Sequence, residues 1–101
     1  MDYIMPGIVR KELDRHIGHA SQTPNPFHQT AYNEGSPTVF VNSKPTVRIG
    51  DKTSCGDPAK DGSPTVFINS IKVHRQGDAT EGHGSWSPTS AETGSSNVFA
   101  N

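Results

Sequence analysis

The chain has 101 residues, a mass of 10.8 kDa, an apolar fraction of 30% and a net charge of −1 from nine basic and ten acidic side chains. A single Leu among ten Gly and eight Pro excludes a helical bundle, the balanced charge argues against charge-driven disorder and nucleic-acid binding, and the short apolar runs exclude a transmembrane helix. What remains is one small all-β domain over residues 1–101, with a core thin enough to need a metal or a partner surface, since one Cys closes no intramolecular disulfide.

Met1–Ile4 precedes any pattern and is expected to fray. Pro6-Gly7-Ile8-Val9-Arg10 leads to Leu13-Asp14, and Arg15–Ala20 follows as a loop with His16 and His19. A long loop over 21–35 carries His28. Residues 35–43 read GSPTVFVNS, turn chemistry around a β-branched and aromatic strand. Thr46–Ile49 is a second strand, running into Gly50-Asp51 and a loop with Cys55. Residues 62–70 read GSPTVFINS, identical at eight of nine positions at an offset of 27 residues. Val73–Gln76, Gly77-Asp78 and a loop with His83 repeat the second half, and Gly94–Asn101 begins the unit again.

The last residues are a first half and the early residues a second half. Joined, they make three units. This predicts a chain closed on itself, its last strand beside its first, in a compact pseudo-threefold object, with a tandem duplication within an ordinary sandwich as the alternative. Closure also removes exposed strand edges. The first unit is degenerate: Leu13-Asp14 stands where the others have Gly-Asp, and Arg10 lies four residues before its Asp where Arg48 and Arg75 lie three before theirs. A bulge is expected there. The Val-Phe pairs at 39–40, 66–67 and 98–99 alternate faces, one member filling the core and the other pointing outward.

Each loop after an aspartate carries a metal-ligand type. Counting from the aspartate, His19 and His83 both occupy the fifth position and Cys55 the fourth. A threefold arrangement brings these loops together at one end. Imidazole and thiolate converging there suit zinc, with iron the alternative. His28 is the expected fourth ligand and His16 its competitor. Such a closed site, near the threefold axis, adds folding free energy. His74 aligns with Val47 and reads as a strand residue.

These residues resemble the PAAR-repeat family, through Pro45-Thr46-Val47-Arg48 with Gly50-Asp51, Lys72-Val73-His74-Arg75 with Gly77-Asp78, and the GSPTVF frame on either side. The resemblance runs from about Pro6 to Asn101, although no copy spells Pro-Ala-Ala-Arg. It implies a cone whose triangular base docks on the blunt end of a trimeric β-helical spike, in a type VI secretion system or a contractile phage tail. It implies a zinc ion near the vertex held by His19, His28, Cys55 and His83, with His16 the alternative to His19. The expected role is a structural, non-enzymatic spike tip that contacts the target envelope in passing.

Two other classes compete. A small zinc hydrolase needs an open metal position and a general base, for which Glu81 is the nominee. A metal-stabilised β binding module would use Trp86 and Tyr32 as contact residues. The chain has no secretory leader pattern and no room for a fused toxin domain, so it is expected to be made in the cytoplasm, assembled on a spike and delivered outside the cell. The long first loop leans towards the phage-tail form.

Overall fold

A computed structural model describes residues 5–19, 28–84 and 86–101. Residues 1–4 and the first part of the long loop, residues 21–27, lie outside the described residues. Among them the structure is all-β. Two hairpins are its only extended ladders: β1 (Phe40–Val41) with β2 (Lys44–Pro45), and β3 (Phe67–Ile68) with β4 (Ile71–Lys72), each antiparallel. Their turns are Asn42-Ser43 and Asn69-Ser70, all four at positive φ. Two successive positive φ angles make the hairpin turn whose twist matches that of the strands, and Asn tolerates it best after Gly.

The remaining pairing consists of single antiparallel bridges, and these close a ring. Arg10 bridges Thr46, Arg48 bridges Val73 and Arg75 bridges Ile8. Each bridge joins an Arg to the residue two before the Arg of the next unit. One residue in from the Arg, Val9 N donates to His74 O at 3.1 Å, His74 N to Val47 O at 2.9 Å, and Val47 N to Val9 O at 3.0 Å. Three equivalent amides thus close a triangle of hydrogen bonds around a pseudo-threefold axis. Gly7 bridges Phe99, and Ile8 N and Ala100 N donate to Val98 O and Pro6 O, so the last strand lies beside the first. The second-half strands are therefore too short to form ladders of their own, and inter-unit bridges satisfy their backbone instead.

The repeated residues hold this ring in the same way three times. Arg10, Arg48 and Arg75 each clasp Asp14, Asp51 and Asp78 through Nε and Nη2, and the backbone N of each Arg donates to the same carboxylate. In the first unit Glu12 takes the positive φ that Gly50 and Gly77 take elsewhere. The inserted residue is Leu13, which is 52% exposed. That is the expected bulge, and it costs the strain of a non-Gly residue in the left-handed region. The glycine opening each unit has its own reason. At Gly62 a Cβ would sit 2.5 Å from Val73 O, so only glycine lets the next strand approach.

The units are also stitched edge to edge. Asn42 Nδ2 donates to Asn97 Oδ1 and Ser95 Oγ to Asn42 Oδ1. One unit further, Asn69 Nδ2 donates to Thr38 Oγ1 and Ser36 Oγ to Asn69 Oδ1.

The core is two small apolar clusters. Ile8, Val41, Val73 and Ala100 form the first, with Val66, Ile68 and Val98 packed against it. Val9, Tyr32, Val47, Ala59 and Ala91 form the second. The Val-Phe alternation resolves with Phe outward: Phe40, Phe67 and Phe99 are 55%, 51% and 45% exposed. In each unit the chain leaves the neighbourhood of one exposed Phe, crosses the ring and arrives at a His or Cys loop. The molecule thus has a Phe-bearing end and a His/Cys end.

Candidate metal centre

Above the ring, the register continues in threes. Tyr32 bridges Thr53, Ala59 bridges Thr80 and Ala91 bridges His16. His16 is therefore the counterpart of Thr53 and Thr80, and all three are buried. This layer lies between the apolar core and the next set of side chains, which begins with His19 and His83.

His19, His28, Cys55 and His83 come together there, each offering one donor atom, all within 4.8 Å of one another. His19 Nε2 lies 2.6 Å from His28 Nε2, 3.2 Å from His83 Nε2 and 3.7 Å from Cys55 Sγ. Three local devices aim these atoms. His19 and His28 exchange backbone hydrogen bonds, as do His83 and Trp86. Cys55 N donates to Thr30 Oγ1 at 3.2 Å. The Gly82 turn before His83 is at φ +77°, where a Cβ would meet Trp86 O at 2.6 Å.

The tautomer of His19 follows from its surroundings. Its Nδ1 lies 2.8 Å from Ser87 O, and a carbonyl only accepts. The proton is therefore on Nδ1, and Nε2 turns its lone pair into the cluster, the arrangement usual for a metal-ligating imidazole. Burial, with the nearby His19 ring, lowers the pKa of both His28 and His83, which favours their neutral, ligand-competent form. Trp86 stacks on both of these rings, at centroid distances of 4.8 and 5.1 Å.

The donor set can be tested against an ion. Zinc bond lengths of about 2.05 Å to N and 2.3 Å to S imply tetrahedral edges of about 3.3 Å between nitrogens and about 3.6 Å between N and S. The 3.2 and 3.7 Å separations fit these edges, and the 2.6 Å His19–His28 contact is tighter. Lone pairs converging at such spacing are what a cation stabilises. The group can hold a metal ion.

The other candidates fall elsewhere. His16 Nδ1 donates to Asp57 Oδ2 at 2.8 Å, and its Nε2 lies 3.9 Å from Cys55 Sγ, beside the four-atom group. His74 is fully buried, its Nδ1 donating to Asp61 O at 2.7 Å and its Nε2 accepting from Tyr32 Oη at 2.8 Å. Glu81 is exposed and outside the donor group. Tyr32 corrects the binding-module reading: it is wholly buried in the core, because it stands where the other units have Ala59 and Ala91 and its hydroxyl serves His74.

Sequence reasoning passed over Asp57. It is wholly buried and accepts from Gly82 N at 2.7 Å as well as from His16. Burial pushes its carboxyl up, but hydrogen bonds from His16, Thr80 and Gly82 outweigh this and hold it below the usual carboxylate range. No signal pointed to it, because the other two loops have no aspartate at that place.

A family model described as the PAAR motif matches residues 16–61. The chain is similar to the PAAR-repeat family over this stretch. The match spans the first two donor loops, from His16 through Cys55. The closed ring of short strands is consistent with a small all-β PAAR cone, and PAAR-family proteins cap the spikes of contractile injection systems. No curated protein matches the chain.

Proposed function

We propose that this chain is the tip of a membrane-piercing spike, seated by its Phe-bearing end on the blunt end of a trimeric β-helical protein. The observation that carries this is the pseudo-threefold ring presenting an equivalent exposed Phe from each unit. A single chain with that symmetry offers one matching contact to each subunit of a true trimer. Each Phe is already about half covered, so burying the rest of it there supplies roughly 1 kcal/mol before the cost of association.

The opposite end is the leading point. One zinc ion held by His19, His28, Cys55 and His83 cross-links the three loops and adds rigidity where the core is thinnest. The long first loop favours a phage-type contractile tail. The chain is made in the cytoplasm, loaded onto the spike and carried out with it.

The test is to mix the chain with the trimeric spike protein of its own machine and measure stoichiometry by native mass spectrometry. One chain per trimer is expected, and binding should be lost in a folded Phe40→Ser/Phe67→Ser/Phe99→Ser variant. A wild-type chain that stays apart from the trimer, or binds it in three copies, refutes the proposal.

A further inference from the structure

We propose that Asp57 is the positioning residue of the metal centre, a single buried carboxylate that ties the three donor loops together and aims the four donors before any ion arrives. The inference rests on the four donors being a metal site.

Asp57 belongs to the second loop, two residues after Cys55. Its Oδ2 takes the Nδ1 proton of His16 from the first loop at 2.8 Å. Its Oδ1 takes the amide proton of Gly82, in the third loop beside His83, at 2.7 Å. Within its own loop Asp57 N donates to Thr53 Oγ1, whose oxygen lies 3.2 Å from Cys55 Sγ. The carboxylate thus contacts His16 and its amide contacts Thr53, two of the three equivalent members of the buried layer under the donors. His19 Nδ1 stands 3.9 Å from Oδ2.

Only a carboxylate meets these demands. It accepts on both oxygens, whereas an amide accepts on one and presents N–H on the other. Asp57→Asn must then either lose the Gly82 bond or set an N–H against His16 Nδ1–H. In the first case the His83 loop is released. In the second the His16 ring turns or changes tautomer beside Cys55. Either displaces a donor while leaving all four donor residues present.

The experiment uses the full-length wild type, Asp57→Asn, His16→Asn and His16→Leu. Zinc is titrated against a chromophoric chelator, with emission of Trp86, the sole Trp, reporting the stacked His28 and His83 rings. Cobalt replaces zinc in a parallel series to read donor geometry from its thiolate charge-transfer and d–d bands. Asp57→Asn should fold and bind zinc about 10–100-fold more weakly, with altered cobalt bands. His16→Asn, whose side-chain N–H can replace His16 Nδ1–H, should bind like wild type, and His16→Leu should not. This pair decides the matter if Asp57→Asn does not fold. Wild-type affinity and cobalt bands in Asp57→Asn overturn the role of Asp57 alone, as does equal binding by the two His16 variants. A folded wild-type chain that takes up no zinc overturns the metal site and this inference together.

Discussion

The Tyr32–His74 hydrogen bond is an asymmetric insertion into a threefold core. The equivalents of Tyr32 are Ala59 and Ala91, and the equivalents of His74 are Val9 and Val47. Both partners are wholly buried, 2.8 Å apart. Tyr32→Phe leaves the His74 Nε2 acceptor buried and unpaired, which costs about 1–3 kcal/mol. His74→Val strands the tyrosine hydroxyl for a similar amount, while the exposed Asp61 segment turns its carbonyl to water. The double variant removes both polar groups and is close to neutral for the pair, so the two changes should couple by the sum of the single costs, about 2–6 kcal/mol. At this chain length each kcal/mol shifts Tm by roughly 4–8 °C. Urea unfolding of all four proteins in one buffer measures the coupling. Additivity within about 0.5 kcal/mol would refute the claim that these side chains satisfy each other.

The same residue predicts a pH dependence. Burial lowers the His74 pKa in the fold, so below the unfolded imidazole value of about 6.5 the unfolded chain holds the extra proton. Stability is then lost as pH falls through that value. His74→Val should show a shallower acid loss than wild type between pH 7 and 5.

The three Arg–Asp clasps should differ in strength with burial. Asp14 is 1% exposed at its side chain and also accepts from Thr93 Oγ1 at 2.6 Å, whereas Asp51 and Asp78 are 12% exposed. Asp14→Ala should cost about 3–5 kcal/mol, and the other two about half that, by thermal denaturation. An equal or reversed order would count against burial as the cause. Cys55→Ala, or a strong chelator applied to wild type, should remove about one zinc per chain by elemental mass spectrometry. With zinc at a thousand times its Kd the bound ion contributes about 4 kcal/mol, so Tm should fall by roughly 16–32 °C. A wild-type Tm indifferent to chelator would argue against the staple.

Much of the architecture was legible because it is written several times. Repetition revealed the unit, its truncated copies implied closure, and the phase of His19, Cys55 and His83 put them on one end, where the structure brings them together with His28. Single-copy features were not legible. Glu12 carries the left-handed turn in the degenerate unit while Leu13 is the inserted residue, which the spacing alone could not apportion. His16 and His19 are three residues apart and chemically alike. The count from the aspartate already set His19 level with His83, and the inter-unit register adds that His16 stands with Thr53 and Thr80 in the layer beneath.

By itself, then, the sequence determined the all-β class, the three units, the closure and the donor types, since each follows from local composition or from a period. Tertiary structure alone decided which face each Phe takes, that Tyr32 pairs with His74, and that Asp57 joins three loops. Each of these is a contact between units many residues apart, and no local spacing encodes the register that creates it.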